Sequence, residues 1–156
     1  MSASRTSRNT WVARGASELS ERVYRRAADV LGVDHTLLSE DTFLAEHLQL
    51  VHYAVGDKYD SHYDWSPKNV TRLCTLLLYL NDPVEGGATS FPRAERSEAE
   101  GPLVLHPGKG GAVLFYNLLP DGIADETSRC TRRCPSSPAR SGSPISGCGT
   151  TGGRDA

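Results

Sequence analysis

The chain has 156 residues, with 17 Lys and Arg against 19 Asp and Glu for a formal net charge of -2, and an ordinary apolar share of 38%; that is room for one domain with a real core. The charge is uneven: the last 28 residues hold five Arg and one Asp, leaving 12 basic against 18 acidic residues in the body, so an acidic body argues against a nucleic-acid groove and the basic tail, without aromatics, is no stacking platform. No stretch reaches the ~20 apolar residues of a membrane span, and the N-terminus lacks the apolar core of a secretory signal.

In chain order, Ser17 reads as an N-cap with Glu18 and Glu21 in the first turn, where the helix dipole favours negative charge. Leu19, Val23, Ala27, Val30 and Leu31 recur at helical spacing up to Gly32, a C-terminal stop, which predicts an amphipathic helix backing a sheet. Arg22, Arg25 and Arg26 fall on its solvated face. A second helical stretch is expected over Asp34 to Glu46. From His47 to Val55 the pattern turns to period two, with Leu48, Leu50 and His52 on one face and Gln49, Val51 and Tyr53 on the other, a strand. Leu73 to Leu80 is nearly continuous apolar sequence, long enough for a central strand buried on both faces, and Cys74 within it reads as a small buried hydrophobe. Gly86-Gly87 and Pro92 punctuate a turn and a short strand, Arg93 to Glu100 is a charged loop, and Leu103 to His106 and Ala112 to Asn117 read as two strands joined by the Pro107 to Gly111 turn. Helices followed by successive strands fit a mainly β fold with flanking N-terminal helices, a double-stranded β-helix or jelly roll.

The stretch Gly56-Asp57-Lys58-Tyr59-Asp60-Ser61-His62-Tyr63-Asp64-Trp65 carries the chemistry. If its end is a strand, His62 and Asp64, two apart, share a face. An H-x-D pair completed by a second His is the facial triad that holds non-haem Fe(II) with open positions. Alone, the pair means little and reads first as an exposed loop His beside an Asp.

The motifs around it narrow the choice. Leu48-Gln49-Leu50-Val51-His52-Tyr53 lies upstream; Arg72-Leu73-Cys74-Thr75-Leu76-Leu77-Leu78-Tyr79-Leu80-Asn81-Asp82, Glu85-Gly86-Gly87-Ala88-Thr89-Ser90-Phe91-Pro92 and Pro107-Gly108-Lys109-Gly110-Gly111-Ala112-Val113-Leu114-Phe115-Tyr116-Asn117 follow. In this order and spacing, from about Arg5 to Ser128, the chain resembles the catalytic domain of prolyl 4-hydroxylases, dioxygenases dependent on Fe(II) and 2-oxoglutarate. The resemblance implies an enzyme that hydroxylates C4 of proline in a peptide or protein substrate, with L-ascorbate as accessory reductant and an endoplasmic reticulum setting. It implies His62 and Asp64 as two of three iron ligands, Tyr53 and Thr89 on 2-oxoglutarate, and Tyr59 and Arg72 facing the peptide. Ala88 stands where the family usually has Glu. On the residues alone, Tyr53 is equally an ordinary strand aromatic and Arg72 a surface charge, while Tyr63 and Trp65 pack beside the site. His52 and His106 sit where the family often has Arg or Lys. Arg5-Thr6-Ser7 matches a segment inside the family's domain, so Met1 reads as an internal start, with an upstream signal or anchor left open. Oligomeric state is not legible.

The resemblance breaks at Ser128. The family continues with Ser-Leu-His, whose His is the third iron ligand, and about ten residues on with Lys-Trp, whose Lys binds the 2-oxoglutarate carboxylate. Here no His follows His106 and no Lys follows Lys109. The domain is therefore expected to span 1–128, incomplete and without its C-terminal strands, followed by a disordered Ser/Gly/Pro/Arg-rich tail over 129–156. In that tail 13 of 28 residues are Ser, Gly or Pro and none is aromatic. It reads as a change of reading frame: with suitable synonymous codons, residues 130–152 read from the last base of the preceding codon spell LHAALPVLAGEKWVANLWVWDYG, putting His at the position of Thr131 and Lys at that of Ser141. A zinc site on Cys130, Cys134 and Cys148 lacks a fourth ligand, and the cysteine count supports no disulfide framework. The expectation is an inactive chain from a hydroxylase locus; the rivals are a non-catalytic peptide-binding module and a dioxygenase of another substrate.

Overall fold

The computed structural model describes residues 4–42, 44–65, 72–82, 86–94, 101–128, 130–133 and 146–154. Two sheets make up the fold. The larger has the order β1 (Arg8–Val12), β2 (Leu48–Tyr53), β9 (Ser146–Arg154), β4 (Arg72–Tyr79), β7 (Ala112–Tyr116). The smaller runs β3 (Lys58–His62), β8 (Cys130–Arg133), β5 (Ala88–Phe91), β6 (Leu103–Leu105). All the described pairings between these strands are antiparallel, as a jelly roll requires.

The helix α1 (Glu18–Leu31) starts where expected. The Ser17 side chain accepts from the Ser20 N–H, and Ser20 returns the bond to the Ser17 N–H in a capping box. It ends at Gly32, whose φ of 68° is left-handed; the Gly32 N–H reaches Asp29 O at 3.3 Å and the Val33 N–H reaches Ala28 O at 3.1 Å, a Schellman pattern. The expected stripe holds at Ala27, which is buried, and at Val23, which packs against the core, but not at Leu19 and Val30, 66% and 64% exposed; Tyr24 and Ala28 join Ala27 against Leu38, Leu48 and Leu76. The second helix expected over Asp34 to Glu46 is instead a pair of 3-10 turns, His35–Leu38 and Glu40–Thr42.

β4 is central, as its apolar run predicts, because alternate side chains serve two interiors. Leu76 packs towards α1, with Leu78 and Leu114 beside it; Leu77 and Tyr79 join Val113 and Phe115 on the other face. That second face meets the small sheet. Tyr79 Oη lies 2.6 Å from Thr89 Oγ1, and Phe91 meets Phe115 edge to face at 5.0 Å.

Leu103–Leu105 and Ala112–Tyr116 are the two strands expected, and the turn between them crosses from one sheet to the other: β6 pairs with β5, β7 with β4. One further expectation is corrected. The C-terminal strands are not missing as backbone, and strand pairing does not stop at Ser128. Cys130–Arg133 sits between β3 and β5, and Ser146–Arg154 between β2 and β4. Backbone groups on facing edges demand partners whatever the side chains, so even a Gly-rich segment completes the ladder. The charged loop from 95 to 100, Cys134 and Ser141 lie outside the described residues.

Candidate metal centre

His62 ends β3, and Asp64 lies just beyond it. The two side chains nevertheless meet, with His62 Nε2 3.4 Å from Asp64 Oδ1, both largely shielded at 20% and 14% exposure. His62 Nδ1 is 2.7 Å from the Asp60 carbonyl oxygen. A carbonyl only accepts, so Nδ1 carries the hydrogen, and in a neutral ring Nε2 then presents a lone pair towards Oδ1. Two lone-pair atoms facing each other need a proton or a cation between them. An imidazole nitrogen beside a carboxylate oxygen is the donor chemistry of a divalent first-row metal.

Three neighbours hold Asp64. Thr75 donates from Oγ1 to Asp64 Oδ2 at 2.8 Å, Asn117 donates from Nδ2 to Thr75 Oγ1 at 3.0 Å, and Arg72 donates from Nη1 to the Asp64 carbonyl at 3.1 Å. Burial pushes the Asp64 carboxyl up, but with a proton between the two side chains the hydrogen bond and charge of His62, the Thr75 hydroxyl and the Arg72 charge together bring it below its ordinary value. Asp64 is therefore held as a carboxylate, the form that binds metal.

Arg72 and Tyr59 have internal partners. The Arg72 guanidinium grips Glu46 through two bonds of 2.9 Å; burial lowers its pKa, and Glu46 and Asp64 more than reverse this, leaving it raised. Tyr59 stacks on His62 with centroids 3.5 Å apart and planes 16° apart, and the Arg5 guanidinium lies over its ring at 4.8 Å. Tyr53 is 7% exposed at the end of β2 in the large sheet, and Thr89 is 1% exposed in the small sheet against Tyr79. Tyr63 accepts and donates in an exposed trio: it donates to Glu126 Oε2, and Arg93 Nη1 donates to Tyr63 Oη and to Glu126 Oε2, both at 3.0 Å.

Sequence reasoning missed Thr75, Asn117, Tyr79 and Glu46. A hydroxyl and an amide interrupting buried strands were the available signal for the first two, since buried polar groups need partners. Among the described residues no group of three His, Cys, Asp or Glu converges on a metal position. The donor set thus fits two positions of a facial triad and supplies no third. In the small sheet the position paired with His62 is Cys130; Thr131, one residue on, pairs with Ser90 and so falls on the other face of β8.

Comparison with known proteins is consistent with this geometry. Residues 48–134, more than half of the chain, match the model of the 2OG-Fe(II) oxygenase superfamily. A probable prolyl 4-hydroxylase 11 of Arabidopsis thaliana is 33% identical over 136 residues, covering 85% of this chain and 44% of that protein. Prolyl 4-hydroxylase subunit alpha-1 of Gallus gallus is 33% identical over 135 residues, 80% of this chain and 23% of the subunit. The chain thus spans less than half the length of these relatives. In structure it is similar to a viral collagen prolyl hydroxylase from Paramecium Bursaria Chlorella virus-1 in its 2OG complex, with a TM-score of 0.70 at 23% identity over 96% of this chain and 80% of the other.

Proposed function

The chain belongs to the 2OG-Fe(II) oxygenase superfamily, and from that membership we propose that the domain it represents hydroxylates C4 of proline in a peptide or protein substrate. The observation that carries the reading is the shielded His62–Asp64 pair at 3.4 Å, in a chain whose similar proteins are named prolyl 4-hydroxylases. His62 and Asp64 would hold Fe(II), with Nε2 and Oδ1 as donors. Bound metal and 2-oxoglutarate supply the oxidising power, with succinate as co-product and L-ascorbate as accessory reductant. Tyr53 and Thr89 would line the cosubstrate pocket between the sheets. Tyr59, through its hydroxyl, and Arg72 would border the peptide while bracing His62 and Asp64. An endoplasmic reticulum setting rests on the resemblance alone.

The chain as it stands would not turn over. Its described residues offer two metal donors, and its sequence holds no Lys beyond Lys109 to neutralise the distal carboxylate of 2-oxoglutarate. Read in the other frame, the positions of Cys130 and Thr131 would carry Leu-His in the strand next to β3, and β9 would carry the run Leu-Trp-Val-Trp-Asp-Tyr at residues 146–151, between β2 and β4. The incomplete donor set also favours a second reading, a module that binds proline-containing peptides without chemistry.

Succinate release and peptide mass, measured for this chain and for one with the tail in the other frame, separate these readings, with Asp64→Ala in the latter as control. Turnover only in the frame-corrected chain is expected. Equal turnover by the chain as it stands would overturn its inactivity. A well-folded, metal-loaded corrected chain inert toward every proline peptide would overturn the prolyl hydroxylase reading, and peptide binding without turnover would favour the module.

A further inference from the structure

We propose that Asn117 and Thr75 form a one-way donor relay that reserves a single oxygen of Asp64, Oδ1, for the metal; this rests on the reading of His62 and Asp64 as ligands. Both are positioning residues, acting through Asp64. Thr75 projects from the interior face of β4 and is 2% exposed; Asn117, just past β7, is fully buried. A hydroxyl has one hydrogen to give. Because Asn117 Nδ2 donates to Thr75 Oγ1 and Asp64 Oδ2 sits 2.8 Å away, that hydrogen points at Oδ2. The opposite orientation of the Asn117 amide would leave Thr75 between two acceptors with one hydrogen for both. With Oδ2 capped, Oδ1 is the oxygen left beside His62 Nε2.

Packing alone does not account for Asn117. Among the described residues its buried side-chain oxygen meets no hydrogen-bond partner, a desolvation cost that an apolar residue would avoid. The main chain, by contrast, is pinned on both sides: the Asn117 N–H donates to Leu73 O at 2.7 Å, and its carbonyl accepts from the Asp125 N–H at 2.8 Å. The backbone thus aims the amide at Thr75. An uncompensated buried acceptor kept in this position fits a group retained for its donor. Without the relay, Asp64 is free to turn about its terminal torsion and offer either oxygen or both.

Mn(II) binding to the full-length chain tests this, followed by the loss of the free Mn(II) resonance signal, in the chain as it stands and in one with the tail read in the other frame. Thr75→Val and Asn117→Leu should each weaken binding about 10-fold or more, and Thr75→Ser should keep the parent affinity. The double variant should bind no more weakly than Thr75→Val alone, because Asn117 acts only through Thr75. Thermal midpoints recorded alongside separate lost positioning from lost fold; should Asn117→Leu not fold, Asn117→Ala carries the same expectation. Parent affinity in the Asn117 variant, additive losses in the double variant, or failure of Ser to rescue would each overturn the relay. Mn(II) bound by neither parent would overturn the ligand reading and the relay with it.

Discussion

Arg72 shows how a residue that could serve a substrate is first spent on the protein. Its guanidinium closes two bonds on Glu46 and a third on the Asp64 carbonyl, so it ties the segment before β2 to the metal-site turn. Lys cannot reproduce a bidentate fork. Arg72→Lys should therefore cost about 1 to 2 kcal/mol in urea denaturation, and Glu46→Gln a similar amount; a loss in neither variant would return Arg72 to the peptide side alone. At the metal, the two donors among the described residues leave most of the coordination sphere to water. Mn(II) should bind the chain as it stands at least ~10-fold more weakly than the frame-corrected chain. A tight one-to-one site in the unmodified chain, abolished by His62→Ala, would reveal a donor beyond those described.

At the scale of elements, α1 is anchored by charge as well as by caps. Arg14, 8% exposed, donates to Glu21 at 2.6 and 2.8 Å and to the His35 carbonyl at 2.8 Å, clasping the helix start to the turn that follows the helix. The bond from Arg14 is the chief reason the Glu21 pKa falls from 4.5 to about 2, against burial and aided by Arg25. A carboxylate whose folded pKa is depressed contributes stability that is full above its unfolded value and lost as pH falls through the folded one. The difference in thermal midpoint between the parent and Glu21→Gln should thus persist above pH ~5 and vanish towards pH ~2. A difference that stays constant over that range would show that the clasp acts by packing. β9 makes the opposite case. Gly147, Gly149, Gly152 and Gly153 lie in a central strand, where glycine adds no side chain to bury. Its amides should exchange hydrogen well before those of β4 and β7, by local opening; equal protection would show a stronger strand than its residues suggest.

For the molecule as a whole, the same weakness sets the stability. Each large apolar side chain fully buried contributes ~1.5 to 3 kcal/mol, and the other reading frame would put Leu, Val, two Trp and a Tyr where β9 runs. Their absence is comparable to the ~5 to 15 kcal/mol by which domains are stable. The chain as it stands should melt below ~65 °C or aggregate, and the frame-corrected chain should melt cooperatively at a higher temperature. A cooperative transition of the unmodified chain above that value would show that the backbone of β8 and β9 suffices.

Local chemistry made much of this readable in advance. Ser17 and Gly32 bound α1 because a hydroxyl cap and a left-handed glycine act within a turn of their own position. β2 and β4 follow from period and length; the His62–Asp64 pair stands out in residue order, although Asp64 lies beyond the strand that the spacing argument supposed. The break after Ser128 is a property of residue order alone. Tertiary structure decided what depends on a distant partner: that Tyr24, Ala27 and Ala28 rather than Leu19 and Val30 meet the sheet, and that β6 and β7 part to different sheets. It decided that Thr75 and Asn117, 42 residues apart in sequence, meet to hold one carboxylate. It also drew a Gly-rich tail into the two open positions, since unpaired strand edges bind by backbone hydrogen bonds that no side chain encodes.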